Sequence, residues 1–304
     1  MSELGNRVRF TADRGDAKLR LDQALVRRVG GDVKLSRTLA RQWIEAGRVE
    51  LGGRTARRAS QPIAEGTDVV VTLPEGAVRR APPEAEELDL DVLHEDEHVL
   101  AINKPPGVVV HPTYKHTSNT LLNAVLWRLR SRPGVRPGVL TRLDKDTSGL
   151  VLVALSPAVH AAVQADSRAG CVRKEYLAVV SGVPRPSAGS IQLPLGRDPG
   201  DRRRVVVRAD GAASETRYDV LSSSGGRSLV SCELVTGRTH QIRVHLASSG
   251  WPVVGDLSYG SPDVAIARQA LHAWRVELPH PVTRERLRIE APLPADLRAL
   301  VPVS

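Results

Sequence analysis

The sequence predicts an α+β protein: a small N-terminal α+β unit, then a larger domain whose mixed, mainly antiparallel central sheet is flanked by helices. Three observations support this class. Residues 1–75 combine helical spacing with hairpin signals. Residues 76–88 carry proline and dense charge without apolar periodicity, as a linker does. In residues 89–304, apparent strands often follow one another directly, which favours antiparallel pairing over a doubly wound sheet.

Two helices are predicted in the N-terminal unit. The first is indicated by apolar residues spaced for one helix face ahead of the Gly30-Gly31 pair, namely Leu19, Leu21, Leu25, Val26 and Val29. The second has Ser36 as its N-cap and Gly47 as its left-handed terminator, with Leu39, Ala40, Trp43 and Ile44 facing inward. A hairpin about the Gly52-Gly53 turn and a strand over residues 69–73 complete the unit.

Positive charge is concentrated in this unit. The chain has 43 Lys and Arg against 34 Asp and Glu, and residues 1–80 hold 16 of the former and 10 of the latter. Arg37 and Arg41 are four apart and therefore share a helix face, and Arg48 follows at the hairpin. A polyanionic partner is favoured, because each neutralised phosphate releases a counterion. A solvated basic surface, in a chain that simply uses arginine freely, is the alternative.

The larger domain alternates irregularly between strands and helices. Strands are predicted over residues 98–103, 150–154, 172–181, 214–222, 228–235 and 270–278. Helices are predicted over residues 119–130, 157–168 and 238–249. No internal repeat or low-complexity tract interrupts them.

The most informative stretch of the sequence is residues 142–149, RLDKDTSG, which runs directly into the apolar strand 150–154. Such a strand is buried, so the loop before it is held rigidly at the edge of the core, where functional side chains are often displayed. Spacing alone leaves another interpretation open, in which Asp144 or Asp146 caps a turn by accepting backbone N–H groups.

Three further segments carry unusual polar side chains. Residues 103–107, NKPPG, end a strand in a rigid turn that is followed by His111-Pro112. Lys174 and Tyr176 are two apart on a strand and therefore share a face. Residues 237–246, GRTHQIRVHL, begin a helix loaded with cations and hydrogen-bonding groups.

Together these segments resemble the RluA family of pseudouridine synthases. The match runs in order through residues 89–290 and includes GDLSYG at 255–260, LHA at 271–273 and HPVT at 280–283. Residues 19–73 resemble the small RNA-binding domain named after the fourth small-subunit ribosomal protein. The combination is similar to the ribosomal RNA branch of the family, the RluD- and RluC-like enzymes, and it implies isomerisation of uridine to pseudouridine in large-subunit ribosomal RNA.

The resemblance assigns roles to five residues. Asp144 matches the essential aspartate that acts on the ribose, either as a nucleophile at the anomeric carbon or as a base for a sugar proton; the sequence leaves both open. Arg243 matches its cationic partner, and Tyr176 matches the aromatic that stacks on the target base. Arg142 is expected to enter the space that the extruded uridine vacates or to hold the rearranged strand, with a surface phosphate contact as the alternative. Lys174 is assigned to substrate binding.

The resemblance extends to the N-terminal arginines and also shows one departure. It implies that Arg37, Arg41 and Arg48 grip a structured RNA backbone. Immediately before the RLD motif the family usually has His, whereas this chain has Thr141, which cannot carry a charge near neutrality. The departure puts the local support of the loop in doubt.

Several other chemistries are set aside. His94 and His98 lie in a strand-like segment, and His240 and His245 are five apart, so neither pair predicts a metal site. The isomerisation consumes neither electrons nor ATP, so no cofactor is expected. The N-terminus lacks an apolar signal segment, and no apolar run is long enough to span a membrane, so we expect a cytoplasmic protein. A monomer is the default expectation. A non-catalytic RNA-binding or ribosome assembly protein, and the same chemistry on transfer RNA, are the alternatives.

Overall fold

The computed structural model describes residues 7–17, 19–30, 33, 35–75, 83–113, 116–201 and 203–301. The chain divides into two compact units, Met1–Glu84 and Ala85–Ser304. Most of the predicted linker, residues 76–82, lies outside the described residues, as does Gly31 at the expected end of the first helix.

The first unit packs two helices on a four-stranded antiparallel sheet. Its elements are β1 (Arg7–Thr11), α1 (Leu21–Val29), α2 (Arg37–Glu45), β2 (Val49–Leu51), β3 (Arg54–Thr55) and β4 (Asp68–Thr72), and the strand order is β1-β4-β2-β3. Ser36 caps α2 by accepting the backbone N–H of Leu39. Gly47, with a φ of 71°, ends it. Both predicted caps are therefore present.

Two details of this unit differ from the prediction. The edge strand β1 is not predicted, because three of its five side chains face solvent and none is fully buried. Leu19 lies ahead of α1, and Val26 is only half-buried, whereas Leu21, Leu25 and Val29 are fully buried against α2 and the sheet. Leu19 and Val26 nevertheless pack against the same core, so the predicted inward face is present, with Leu19 lying outside the helix itself.

The second unit is built on a ten-stranded mixed sheet. Its strands are β5 (Val92–Glu95), β6 (Val99–Lys104), β7 (Gly138–Val139), β8 (Ser148–Ala154), β9 (Arg173–Ser181), β10 (Ala188–Ile191), β13 (Thr216–Ser224), β14 (Arg227–Leu234), β15 (Leu271–Pro279) and β16 (Arg286–Glu290). A separate hairpin comprises β11 (Leu195–Arg197) and β12 (Val205–Val207). The helices are α3 (Leu121–Arg128), α4 (Pro157–Arg168), α5 (Gln241–Ser248) and α6 (Ala295–Arg298).

The main path of the large sheet is β10-β13-β14-β9-β15-β8-β6-β5, with β16 on β15 and β7 on β8. Among the described strands, β8 and β15 form the one parallel pair. The predicted mixed, mainly antiparallel sheet flanked by helices is therefore confirmed. None of the helices in the described part of the chain is long and apolar enough to cross a bilayer.

Strand β8 lies in the interior of the sheet and is buried along its whole length. Leu150 and Leu152 face the cluster that includes α4 and α5, whereas Val151 and Val153 face the cluster that includes α3. A strand covered on both faces needs a continuous apolar run, as observed. Gly149, at a φ of 108°, makes the β8–β15 pairing possible, because a Cβ there would lie 2.2 Å from the carbonyl oxygen of Ala273.

Helix α4 has its predicted bounds, whereas α5 begins three residues later than predicted. The reason is the backbone of His240, which adopts a left-handed φ of 55° and delays the first helical turn. The short strands β5, β7, β10 and β16, the β11–β12 hairpin and α6 were not predicted. Most are too short for a clear apolar period.

Candidate active site

A cleft of about 560 Å³ opens beside the loop that precedes β8. All five residues that the sequence singled out in the second unit line it: Arg142, Asp144, Lys174, Tyr176 and Arg243. They come from the pre-β8 loop, strand β9 and helix α5. The sheet therefore brings together side chains that are up to 101 positions apart in sequence.

Arg243 lies between two carboxylates. Its Nη1 donates to Oδ2 of Asp144 at 2.8 Å, and its Nε and Nη2 donate to the two oxygens of Asp256 at 2.7 Å each. Burial by itself lowers the pKa of Arg243, but the hydrogen bonds and charges of both carboxylates outweigh it and raise that pKa above its ordinary value. The guanidinium is therefore permanently charged and fixed in orientation.

The two carboxylates differ in exposure. Asp256 is fully buried and also accepts the backbone N–H groups of Ser258 and Tyr259. Burial tends to raise its pKa, but the hydrogen bonds from Arg243 dominate, and the pKa is lowered. The side chain of Asp144 keeps 26% of its surface exposed. Asp256 therefore anchors Arg243, and Asp144 presents negative charge to the cleft.

A buried ammonium holds the loop that carries Asp144. Lys104 has no exposed surface, and its Nζ donates to the carbonyl oxygens of Pro105, Val108 and Lys145 at 2.8, 2.9 and 2.9 Å. The N–H of Gly107 donates to the same Lys145 carbonyl. Burial lowers the pKa of Lys104 to about 8. The NKPPG turn and the loop before β8 are thus joined one residue from Asp144.

Thr141 supports the same loop from its other end. Its Oγ1 accepts the backbone N–H of Leu152 at 2.9 Å, and the adjacent Leu140 N–H donates to the Leu152 carbonyl. The residue that departs from the family pattern therefore still anchors the start of the loop to β8. A neutral hydroxyl is sufficient for that bond.

The strand β9 presents Lys174 and Tyr176 to the cleft, on the one face that their spacing predicted. Tyr176 is 8% exposed, and burial, with a further contribution from Asp144, raises its pKa above the ordinary value. Its ring therefore stays a neutral phenol. Burial lowers the pKa of Lys174, which is half-buried. Arg142 is exposed at the mouth of the cleft.

The structure adds three residues to which the sequence gave no role. They are His240, Asp256 and Tyr259, and all three adjoin the Asp144–Arg243 pair. Nε2 of His240 lies 3.7 Å from Oδ1 of Asp144, and its Nδ1 lies 2.7 Å from the hydroxyl of Tyr259. The GDLSYG segment was the available signal, since it places an aspartate and a tyrosine three apart beside glycines.

The arginines predicted to grip RNA lie in the first unit, where Arg37 and Arg41 share a face of α2. Both approach the buried carboxylate of Asp22, at 4.0 and 3.1 Å. Their side chains are nevertheless about half exposed. Arg48 is half-buried at the start of the hairpin.

The histidines that were considered as metal ligands have other partners. His94 contacts Asp96 at 2.8 Å, and His245 is buried between Ser214 and Thr216 at 3.0 and 2.9 Å. Within the described ranges, no three His, Cys, Asp or Glu side chains are grouped as metal ligands would be.

Comparison with known proteins identifies both parts of the chain. Residues 98–248 match the RNA pseudouridylate synthase family, and residues 19–69 match the S4 domain. The solved structure of human RNA Pseudouridylate Synthase Domain Containing 4 superposes with a TM-score of 0.57 at 27% identity, covering 68% of this chain and 90% of that one.

Two bacterial relatives are similar over most of their length. An uncharacterized RNA pseudouridine synthase of Bacillus subtilis, YlyB, is 38% identical over 97% of each chain. Ribosomal large subunit pseudouridine synthase D of Xanthomonas campestris pv. campestris is 40% identical over 88% of this chain and 84% of its own. Similarity of this extent shows that the chain belongs to the RNA pseudouridine synthases, isomerases that convert uridine in RNA into pseudouridine.

Proposed function

We propose that this enzyme isomerises uridines of large-subunit ribosomal RNA, with Asp144 as the group that acts on the ribose. One observation carries the assignment: the carboxylate of Asp144 is bonded to the buried Arg243 at 2.8 Å, while part of its surface stays open to the cleft. The bond to Arg243 fixes the orientation of the carboxylate, and its open surface leaves it accessible to a ribose. The relatives named as ribosomal large subunit pseudouridine synthase D support the choice of RNA.

The chemistry assigned to Asp144 needs an ionised oxygen near the sugar. It either adds to the anomeric carbon or removes a sugar proton, and in both cases the bond from C1′ to N1 of uracil breaks. The uracil then rotates and C5 bonds to C1′. On the first route this step displaces the carboxylate from C1′, and on the second the sugar regains the proton held by Asp144. The C5 proton is then lost and N1 gains one. Atoms and charge balance without a cofactor.

The other lining residues hold the extruded nucleotide. A uridine inside folded RNA reaches the cleft by leaving its stack. The buried ring of Tyr176 offers a flat neutral surface for the base, a contact worth about 1–3 kcal/mol. Arg142 at the exposed mouth and the half-buried Lys174 are placed to meet the phosphates on either side.

The N-terminal unit acts as the RNA grip. Its match to the S4 domain and the exposed guanidinium groups of Arg37 and Arg41 support this role, with Arg48 at the adjoining hairpin. We assign residues 1–75 to this domain, 76–88 to the linker and 89–304 to the synthase. Contacts from Glu86 to Asn119 and Asn123 join the last part of that linker to the second unit.

We further place the protein in the cytoplasm as a monomer that works without a cofactor. Cys171 and Cys232 are both free thiols, one exposed and one buried, which suits a reducing compartment. The proposed substrate, ribosomal RNA, also favours the compartment in which ribosomes are assembled.

Pseudouridine mapping of total RNA from cells with and without this gene tests the proposed substrate. We expect signals to disappear from large-subunit ribosomal RNA and to return when the wild-type gene is restored. Loss confined to transfer RNA would select the transfer RNA alternative. An unchanged map would support a role in RNA binding or ribosome assembly.

A further inference from the structure

The imidazole of His240 lies between Tyr259 and the reactive carboxylate. Its Nδ1 is 2.7 Å from the Tyr259 hydroxyl, and its Nε2 is 3.7 Å from Oδ1 of Asp144. The two oxygens of Asp144 therefore have different neighbours, since Arg243 bonds Oδ2. No role has yet been given to the group that faces Oδ1.

Tyr259 decides which imidazole nitrogen carries the proton. Its hydroxyl oxygen accepts the backbone N–H of Val205 at 2.9 Å. Burial raises the pKa of Tyr259, so the phenol keeps its proton. Among the described residues, the remaining hydrogen-bond partner of that hydroxyl is Nδ1 of His240. Nδ1 is thus the acceptor, and the ring proton resides on Nε2, facing Asp144.

Burial keeps the ring of His240 neutral despite the two carboxylates near it. Burial lowers the pKa of His240; the charge of Asp144 opposes this effect, Arg243 adds to it, and Asp256 opposes it. The net direction is downward, so the imidazole is uncharged at neutral pH. It can donate one hydrogen bond to Asp144 without adding a second cation beside it.

The backbone of His240 is strained, which indicates a constraint on the ring. A left-handed φ of 55° in a residue other than glycine costs about 1–2 kcal/mol. The next residue secures it: Gln241 accepts the N–H of Arg238 and donates to Glu215 O and Thr216 Oγ1. Such strain persists where the surroundings fix a functional geometry.

We propose that His240 is a positioning residue whose Nε2–H donates to Oδ1 of Asp144 once a uridine fills the cleft. The separation of 3.7 Å shortens to a hydrogen bond as water is excluded. Arg243 and His240 then hold one oxygen each, which sets the plane of the carboxylate against the ribose. This inference rests on the role proposed above for Asp144.

Two substitutions test the two ring nitrogens of His240 separately: Nε2, the proposed donor, and Nδ1, the acceptor. His240→Gln places an amide N–H near the Nε2 position, whereas His240→Asn keeps an acceptor near Nδ1 and has nothing to offer Asp144. We expect His240→Asn to lower the single-turnover rate roughly 10- to 100-fold, because a hydrogen bond to a charged group is lost. His240→Gln should recover most of that loss. Dissociation constants for RNA should stay within about 2-fold of wild type in both variants.

The substrate is unmodified large-subunit ribosomal RNA made by transcription, with pseudouridine formation and RNA binding measured in parallel. His160→Asn, on α4 and outside the cleft lining, is the matched control and should behave as wild type. Wild-type rates for His240→Asn, or equal losses in both His240 variants, would overturn the proposal. Asp144→Asn in the same assay reports separately on the proposed function: if that variant is active, the assignment of Asp144 itself is wrong.

Discussion

Each unit pairs aspartate with arginine, but the two units expose opposite partners. In the first unit Asp22 is fully buried, while Arg20, Arg37 and Arg41 are 40%, 56% and 49% exposed. In the second unit the side chain of Arg243 is 7% exposed, and its partner Asp144 is 26% exposed.

This reversal agrees with the proposed division between RNA binding and chemistry. A buried aspartate beneath solvent-facing guanidinium groups orders cations toward an outside anion, which suits a phosphate backbone. A buried arginine beneath an open carboxylate instead keeps negative charge directed into a cleft. Under the roles proposed above, the same pair of residue types serves two tasks, and the exposed partner indicates which one.

The largest expected effect on activity comes from removing the partly exposed carboxylate of Asp144. Asp144→Asn should reduce pseudouridine formation to the detection limit, because the amide can neither attack nor accept a proton. RNA binding and thermal stability should remain close to wild type, since Asp256 still anchors Arg243. Turnover assays with Asp146→Asn as the neighbouring control check this; appreciable turnover by Asp144→Asn would refute the assignment.

The position of the Asp144 carboxylate should depend on β8, the strand that follows its loop. Gly149→Ala should lower the free energy of unfolding by roughly 3 kcal/mol and impair activity, because the added Cβ collides with the backbone of Ala273. Gly170→Ala is the matched control: its φ is also positive, at 76°, but nothing lies within 4 Å, so we expect a cost of about 1 kcal/mol. Denaturant unfolding measures both. Equal losses in the free energy of unfolding for the two variants would mean that β8 and β15 leave room for a side chain at position 149.

A smaller loss is expected at the aromatic wall of the cleft. Tyr176→Leu should slow isomerisation about 10- to 100-fold through loss of base stacking. Tyr176→Phe keeps the ring and should retain most activity. Single-turnover rates distinguish them, and a leucine variant as fast as wild type would argue against stacking at this position.

The smallest effect on turnover should come from removing the exposed guanidinium groups of Arg37 and Arg41 in the first unit. The double variant Arg37→Ala/Arg41→Ala should weaken RNA binding and reduce the slope of log affinity against log salt by about 1 to 2. The control double variant Arg284→Ala/Arg286→Ala removes two exposed, carboxylate-paired arginines from the second unit. If the salt slope changes equally in both double variants, RNA binding depends on the number of arginines lost and not on their location on α2.

Local signals in the sequence predicted much of this structure. Ser36 and Gly47 marked α2, and the apolar run after Gly149 marked the buried β8. Each signal acts within a few residues, through a cap or an uninterrupted apolar stretch. The family resemblance then named Asp144, Tyr176 and Arg243, which the fold gathers into one cleft.

What the sequence missed depends on contacts between distant segments. Asp256 anchors Arg243 from a turn thirteen positions away, and Lys104 bonds a carbonyl 41 positions away. The left-handed backbone of His240 leaves no trace in residue type, so the start of α5 and its neighbour Tyr259 could not be read locally. The departure at Thr141 put the local support of the loop in doubt, whereas its hydroxyl accepts the backbone N–H of Leu152.

Single-turnover conversion, with enzyme in excess and RNA fully bound, tests most directly whether the first unit binds RNA and the second unit carries out the reaction. Under these conditions the account predicts a near-wild-type rate for Arg37→Ala/Arg41→Ala, because saturation removes the binding defect, and no conversion by Asp144→Asn. A rate that stays low for the arginine variant at saturation, or measurable conversion by the aspartate variant, would contradict the account.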